Sequence, residues 1–153
     1  MSEVPRLISN LTSGQGYYFS DAGGVVYHRS RTERKFMIIA DYLRLDLEYE
    51  PKHLGIMYRD PDTSEMHSYT PDFCFYDSTG RYNVIETKRE LREKGCPWNQ
   101  AKWKAAREYC AKHGYIFQVW YDETDVQPLL DSIVPKHKQA ELMQFDAVGS
   151  RRM

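Results

Sequence analysis

The sequence predicts an α/β protein with a central mixed β-sheet flanked by helices, and three observations support this prediction. Two strand-like runs, 68–76 and 82–88, are joined by turn-forming residues and indicate a β-hairpin. A helical segment and another strand-like run follow the second strand, and such a crossover implies a parallel strand pair. A further segment, 32–44, has helical periodicity. A sheet with both antiparallel and parallel pairs, covered by helices, accommodates all three.

The composition is that of a soluble globular protein with one domain. The chain has 153 residues, of which 41% are hydrophobic and 28% charged, so it can bury a core. The apolar run 36–40 is far shorter than the roughly 20 residues of a membrane span, and the N-terminus lacks a secretory signal. Cys74, Cys96 and Cys110 have no C-x-x-C spacing, which argues against disulfides and structural zinc and favours a reducing cytoplasm.

The first half of the chain is predicted to contain one helix and two short strands. Residues 1–27 are rich in glycine and aromatic residues and are expected to form an irregular arm with a short hairpin. Helix 32–44 follows, because apolar residues recur there at helical spacing. Strands are expected at 47–49 and 54–58, separated by Pro51.

The predicted hairpin brings charged residues together. Its turn, 77–80, has the sequence Asp-Ser-Thr-Gly. If the hairpin is symmetric about Thr79, Asp72 lies opposite Glu86. Because side chains alternate along a strand, Glu86 and Lys88 share one face and are about 7 Å apart. Two carboxylates and an ammonium would then converge on one small patch.

The remaining elements follow from periodicity and helix-end signals. Residues 89–97 are predicted to form a loop beside the hairpin, and 99–113 a helix with Trp103, Ala106 and Cys110 on one face. Gly114 is a natural residue to end that helix. Next come a strand at 115–121 and short helices at 124–134 and 138–146. The predicted organisation is an N-terminal arm, a core over 28–121 and a helical extension over 122–153, all in one domain.

The charged patch suggests metal-assisted hydrolysis. Carboxylate oxygens suit Mg²⁺, or Mn²⁺ as a substitute, and a neighbouring lysine can orient or deprotonate a water. An acid followed by E-x-K is a degenerate pattern, however, and a solvated strand face has the same composition. Pro71 favours the site interpretation, because it interrupts the strand and such irregularities re-aim side chains.

Glu33 has two interpretations on the residues alone. Ser30 followed by Glu33 is a capping-box signature at the start of helix 32–44. In that role the Glu33 carboxylate only accepts a backbone N–H. In the other role it points off the helix toward the hairpin and binds metal.

The order Arg29-Ser30-x-x-Glu33, Tyr69-Thr70-Pro71-Asp72-Phe73 and Ile85-Glu86-Thr87-Lys88 resembles the PD-(D/E)xK nuclease superfamily. It is similar in particular to TnsA-like transposon endonucleases and phage Holliday-junction resolvases. Segment 99–110 resembles the helix after the active-site hairpin in TnsA-like proteins, and small phage head-completion nucleases also look similar. The resemblance covers about 28–121 and implies a restriction-endonuclease-like core. It also implies that Glu33, Asp72 and Glu86 bind metal and that Lys88 assists the water. The Thr87 carbonyl, next to Glu86, is a further candidate ligand.

The charge distribution favours a DNA-binding surface despite a net charge of −1. From Arg81 to Lys112 there are nine Lys or Arg against four Glu. A second basic cluster, 28–35, lies next to Glu33. Such cationic surfaces are needed to hold a phosphate backbone beside acidic residues. The candidate DNA contacts are Arg29, Arg31, Lys102 and Lys104.

The sequence therefore predicts a Mg²⁺-dependent DNA endonuclease of phage or mobile-element origin, acting in DNA processing, transposition or head completion. DNA is the expected partner, together with a phage or transposase protein or a second copy of the chain. No association with a membrane is expected. The expected location is the cytoplasm, or the virion if a phage encodes the protein. The alternatives are a phage-neck or transpososome assembly protein with little activity, and an RNA-cleaving enzyme.

Overall fold

The N-terminal part of the chain forms a hairpin that packs on the first helix. The computed structural model describes residues 15–20 and 24–144. Strands β1 (Gly16–Ser20) and β2 (Gly24–His28) pair antiparallel. The buried Tyr18 of β1 packs in the same apolar cluster as helix α1 (Arg31–Tyr42). The predicted irregular arm therefore contains a regular hairpin from Gly16 onward, and residues 1–14 and 21–23 lie outside the described residues.

Helix α1 begins at Arg31, one residue before the predicted start, with the N-cap that the sequence predicted. Ser30 is the N-cap, and its Oγ accepts the backbone N–H of Glu33 at 3.1 Å. The helix ends at Tyr42, before the predicted residue 44, because Arg44 takes a left-handed conformation with φ 57°. Phe36 stacks on Phe73 of the sheet with ring centroids 5.0 Å apart.

A four-stranded mixed sheet forms the centre of the protein. Its strands are β3 (Glu48–Tyr49), β6 (Phe73–Tyr76), β7 (Tyr82–Lys88) and β8 (Ile116–Tyr121). They lie in the order β3-β6-β7-β8, and β7 pairs antiparallel with β6 and parallel with β8. The predicted α/β class with a mixed sheet is confirmed.

The prediction that residues 68–76, the first arm of the hairpin, form a single strand is wrong. Residues Met66–Tyr69 form β5, which pairs with β4 (Ile56–Arg59) in a separate two-stranded sheet. Pairing with β7 begins only at Phe73. Pro71 lies between the two segments, and a residue without an N–H cannot continue the ladder.

Helix α2 (Pro97–His113) covers the opposite face of the sheet from α1. Trp103, Ala106 and Cys110 are buried, as predicted, and they pack with Phe117, Val84 and strands β4 and β5. Gly114 ends the helix with φ 74°. The helix begins two residues before the predicted Asn99, because Pro97 is well suited to the first helical turn. Part of the predicted loop is a 3₁₀ helix, Leu91–Gly95.

The C-terminal part forms two short helices beside α1. A π-helical turn, Asp122–Val126, leads into α3 (Gln127–Ile133), and α4 (Lys136–Leu142) follows. Val134 is extended and Pro135 precedes α4, which separates the two helices as predicted. The prediction for residues 145 and 146 lies outside the described part of the chain. Within residues 15–20 and 24–144, the helices lack the combination of length and apolar character that a bilayer crossing requires.

Candidate active site

The hairpin register places Asp72 and Glu86 at the end of the paired region. Phe73 lies opposite Ile85 in the β6–β7 ladder, so Asp72 and Glu86 are the next positions outward. This is the register that symmetry about Thr79 predicted. Strand β7 continues to Lys88 because β8 supports it on the other side. Asp72 thus lies where one neighbour of β7 is interrupted.

The Asp72 carboxylate takes the place of a backbone hydrogen-bond acceptor beside β7. Its Oδ2 accepts the Thr87 backbone N–H at 2.8 Å and the Thr87 hydroxyl at 2.9 Å. These two bonds fix the carboxylate against the strand. Burial raises the pKa of Asp72, although the Thr87 bonds and the nearby Lys88 and Arg29 oppose that rise.

Glu86 is a buried acid held by a tyrosine. Its residue exposure is 6%, and its Oε1 accepts the Tyr69 hydroxyl at 2.7 Å. Burial raises the pKa of Glu86 to about 8, and the charge of Asp72 adds to the rise. A carboxyl with this pKa is partly protonated at neutral pH unless a cation occupies the site.

Glu33 has features of both of its predicted roles. Its Oε1 accepts the Arg29 backbone N–H at 2.6 Å and the Tyr49 hydroxyl at 3.0 Å. The return bond of the capping box thus goes to Arg29, one residue before the N-cap. Burial raises the pKa of Glu33 to about 7, and the charge of Asp72 contributes second. Glu33 therefore supports the helix start and also lies close to Asp72.

The three carboxylates have a common pattern of bonding. In each of them one oxygen accepts hydrogen bonds, while the other accepts none from residues 15–20 and 24–144. Among the described residues, the side-chain atoms that are completely buried and lack a hydrogen bond do not include these second oxygens. Each of these oxygens is therefore in contact with solvent. No choice of one carboxylate oxygen from each of Glu33, Asp72 and Glu86 gives three atoms that all lie within 4.8 Å of one another. Asp72 raises the pKa of both glutamates and is thus the central member of the set.

Lys88 lies between two acids. Its Nζ is 3.8 Å from Glu86 Oε2 and 3.8 Å from Glu93 Oε1. Glu93 belongs to the 3₁₀ helix Leu91–Gly95, in the segment predicted to be a loop beside the site. The Lys88 side chain is 25% exposed, so it can meet a substrate from solvent.

The structure divides the basic cluster at 28–35. Arg29 is exposed, contacts Glu50, and lowers the pKa of both Glu33 and Asp72. Arg31 is exposed at the first position of α1. Arg34 is buried and donates to the carbonyls of Leu142 and Tyr17. Arg34 therefore supports the fold, and Arg29 and Arg31 remain as surface cations.

The structure also separates Lys102 from Lys104. Lys102 Nζ lies over the rings of Tyr58 and Tyr69, 5.8 and 5.7 Å from their centroids, and lowers the pKa of Glu86. Lys104 pairs with Glu108 at 3.1 Å on an exposed face. Two helical positions rotate the side chain by about 200°, so the two lysines do not share a face. Lys102 alone of the pair adjoins the carboxylates.

The sequence did not predict a role at the site for three residues: Tyr49, Tyr69 and Glu93. The two tyrosines donate to Glu33 and Glu86, and Glu93 contacts Lys88. Tyr69 belongs to the motif Tyr69-Thr70-Pro71-Asp72-Phe73, but the sequence indicates a site role for neither tyrosine, because a tyrosine at a strand end is usually part of the core. Their roles follow from strand pairing, β3 with β6 and β4 with β5.

Comparison with known protein families gives a match to this chain. The family model described as TnsA-like endonuclease N terminal matches residues 45–122, just over half of the chain. The matched region includes Asp72, Glu86 and Lys88 and excludes Glu33. The mixed sheet with helices on both faces agrees with a restriction-endonuclease-like core. No curated protein matches the sequence.

Proposed function

The chain belongs to the TnsA-like endonuclease family, and on that premise we propose that it is a Mg²⁺-dependent nuclease that hydrolyses DNA phosphodiester bonds during the movement of a mobile element. The observation that carries this proposal is the convergence of Glu33, Asp72 and Glu86 beside Lys88. Each acid is held through one oxygen and offers the other toward solvent.

The donor set fits a hard divalent cation. Mg²⁺ prefers oxygen ligands, keeps several waters, and is usually bound through one or two carboxylates. Asp72 and Glu86 would hold the principal ion, with the Thr87 carbonyl as a further ligand. Glu33 would act through a water or a second ion, since oxygens of all three acids do not lie within 4.8 Å of one another with the side chains as they stand. When bound, the ion neutralises phosphate charge and makes a water more acidic.

The remaining groups have distinct roles. Lys88 positions the attacking water and stabilises the negative charge that develops on the phosphate. Tyr49 and Tyr69 hold Glu33 and Glu86 in place, each through one hydrogen bond. Glu93, at 3.8 Å from the Lys88 ammonium, restrains that side chain. Arg29, Arg31 and Lys102 contact the DNA backbone around the acids.

An assembly role on a nuclease fold is the competing hypothesis. The buried Glu33 and Glu86 and the partly buried Asp72, all with raised pKa values, destabilise the metal-free protein, and a protein used only for assembly gains nothing from them. Of the processes that the resemblance suggested, the family match favours transposition-related DNA processing over phage head completion.

The test is incubation with supercoiled, linear and branched DNA, and with RNA of matched length, in Mg²⁺, in Mn²⁺ and in EDTA. We expect cleavage of DNA in the two metals and none in EDTA. Intact DNA under all metal conditions, with the protein folded, would favour the assembly role. Cleavage of RNA alone would change the substrate class and leave the metal site in place.

Glu33→Gln tests whether Glu33 does more than support the start of the helix. The amide keeps an oxygen that can accept from Arg29 and Tyr49 but loses the charge that a cation needs. We expect a loss of nicking of about a hundredfold, with a melting temperature within a few degrees of the parent. Parental activity together with lowered stability would reduce Glu33 to a capping residue.

Lys102→Ala should weaken binding to all DNA sequences alike, because a lysine beside the site contacts phosphate and not bases. We expect the slope of log affinity against log salt to fall by about one charge. Lys104→Ala, on another face of the same helix, is the matched control and should change binding much less. Equal losses in the two variants, measured by anisotropy over a salt series, would place the DNA along the helix as the sequence predicted.

A further inference from the structure

A second group of potential metal ligands lies at the edge of the central sheet. Donor atoms of Glu48, His53 and Cys74 all lie within 4.8 Å of one another. Glu48 comes from β3, Cys74 from the adjacent strand β6, and His53 from the segment after β3. The sequence argued against structural zinc because it lacks C-x-x-C spacing, and here the ligands come from three separate segments.

The ligand atoms are close enough for one ion to contact all three residues. Cys74 Sγ is 3.4 Å from Glu48 Oε1, and His53 Nδ1 is 3.5 Å from Glu48 Oε2, the other oxygen of the same carboxylate. Zinc bonds of about 2.0–2.3 Å at tetrahedral angles separate neighbouring ligands by about 3.3–3.6 Å. A rotation of the half-exposed Glu48 carboxylate would therefore bring one of its oxygens into a zinc site with the other two residues.

The surroundings orient the ligands and leave a route for an ion. The Tyr82 hydroxyl contacts Cys74 Sγ and lies 3.0 Å from His53 Nε2. Such partners fix the orientation of metal ligands. A surface pocket of about 310 Å³, lined in part by Glu48, Cys74 and Tyr82, connects the cluster to solvent. Cys74 is fully buried, whereas the side chains of His53 and Glu48 are 58% and 50% exposed.

The ligand types differ from those of the candidate active site. Thiolate and imidazole select Zn²⁺ or a similar transition metal, whereas the three-carboxylate set suits Mg²⁺. We propose that Glu48, His53 and Cys74 form a second, structural metal site that takes Zn²⁺ and clamps β3 to β6.

The clamp would stabilise a short strand that supports the active site. Strand β3 has two residues, and its ladder with β6 contains only the pairs Glu48–Cys74 and Tyr49–Phe73. Tyr49 follows Glu48 directly and donates to Glu33. A zinc ion on Glu48 would therefore hold Tyr49 in position without contacting the Mg²⁺ ligands.

Zinc titration of the whole chain by calorimetry tests the proposal. We expect one Zn²⁺ per chain and a rise in melting temperature with zinc. His53→Ala should weaken binding by about tenfold or more, and we expect this variant to fold because the His53 side chain is half exposed. Cys74→Ser should remove the cobalt–thiolate absorption band that Co²⁺ gives with the parent.

Two controls separate this site from others in the chain. Cys96→Ser changes a cysteine outside the cluster, and Asp72→Ala/Glu86→Ala removes the proposed Mg²⁺ ligands; both should bind Zn²⁺ like the parent. Parental affinity in His53→Ala, or loss of zinc only in the Asp72/Glu86 variant, would overturn the proposal. Absence of zinc binding by the parent would overturn it as well, whatever the nuclease assays show.

Discussion

Asp72→Ala and Glu86→Ala are each expected to abolish Mg²⁺-dependent DNA cleavage, lowering the rate by at least about a thousandfold. The reason is that a bound metal supplies several kcal/mol of charge stabilisation in the transition state, and these two acids would hold the principal ion. Rates are to be measured by nicking of supercoiled DNA at saturating protein. Cleavage at the parental rate by either variant would remove that carboxylate from the mechanism.

Loss of the Glu86 carboxylate should not unfold the metal-free protein. The pKa of Glu86 is raised to about 8, so the folded state favours the protonated acid. The stability that this preference contributes is complete below the unfolded pKa of about 4.3 and is lost as pH rises toward 8. Glu86→Gln has no side-chain charge to bury and leaves no cavity. In the absence of metal, its free energy of unfolding at pH 8 should therefore exceed that of the parent by about 1 kcal/mol or more.

The comparison at pH 5 is the control for this effect. There the folded parent carries a protonated Glu86 and the unfolded parent a largely ionised one, so only the first part of this loss has occurred and the advantage of the amide should be smaller than at pH 8. A constant difference between pH 5 and pH 8, measured by denaturant unfolding in EDTA, would show that the glutamate is not desolvated as the structure indicates. Mg²⁺ affinity should rise over the same range, because the ligands bind as carboxylates.

Lys88→Arg is expected to be nearly as inactive as Lys88→Ala, with a loss of about a hundredfold or more. Both lysine and arginine are cations, but arginine is a planar fork that proteins do not deprotonate. A group between Glu86 and Glu93 that handles water needs the compact lysine side chain, as the ammonium to orient the water or as the neutral amine to deprotonate it.

DNA affinity separates catalysis from binding in this experiment. Lys88→Arg keeps the charge and should bind DNA like the parent in Ca²⁺ or EDTA. Near-normal turnover by this variant would make Lys88 a source of charge alone. Weak binding together with weak cleavage would instead assign it to the DNA surface.

The features that the sequence predicted well depend on local chemistry. Alternation, turn residues and helix-end signals are short-range, and they predicted the register of β6 with β7, the N-cap Ser30 and the helix end at Gly114. The crossover 82–121 likewise predicted the parallel pair β7–β8. These elements place Asp72, Glu86 and Lys88 near one another.

The features that it missed depend on pairing between distant segments. A run read as one strand, 68–76, serves two sheets, because Pro71 ends one ladder and Phe73 begins another. Tyr69 faces Glu86 only as a result of that division. Arg34 counts as a surface cation in the sequence and is buried in the fold. Local periodicity contains no information on either outcome.

The position of β7 between two neighbours has a consequence for local unfolding. Amides in a strand hydrogen-bonded on both sides exchange with solvent only in large opening events, whereas a two-residue edge strand opens at low free energy. Residues 83–85 of β7, which lead into Glu86, pair with neighbours on both sides, whereas Tyr49 is on the second kind of strand. Hydrogen exchange should therefore be slow at 83–85 and fast at 48–49. Opening of that edge would break the hydrogen bond between Tyr49 and Glu33. We expect this to abolish nuclease activity while the rest of the protein stays folded.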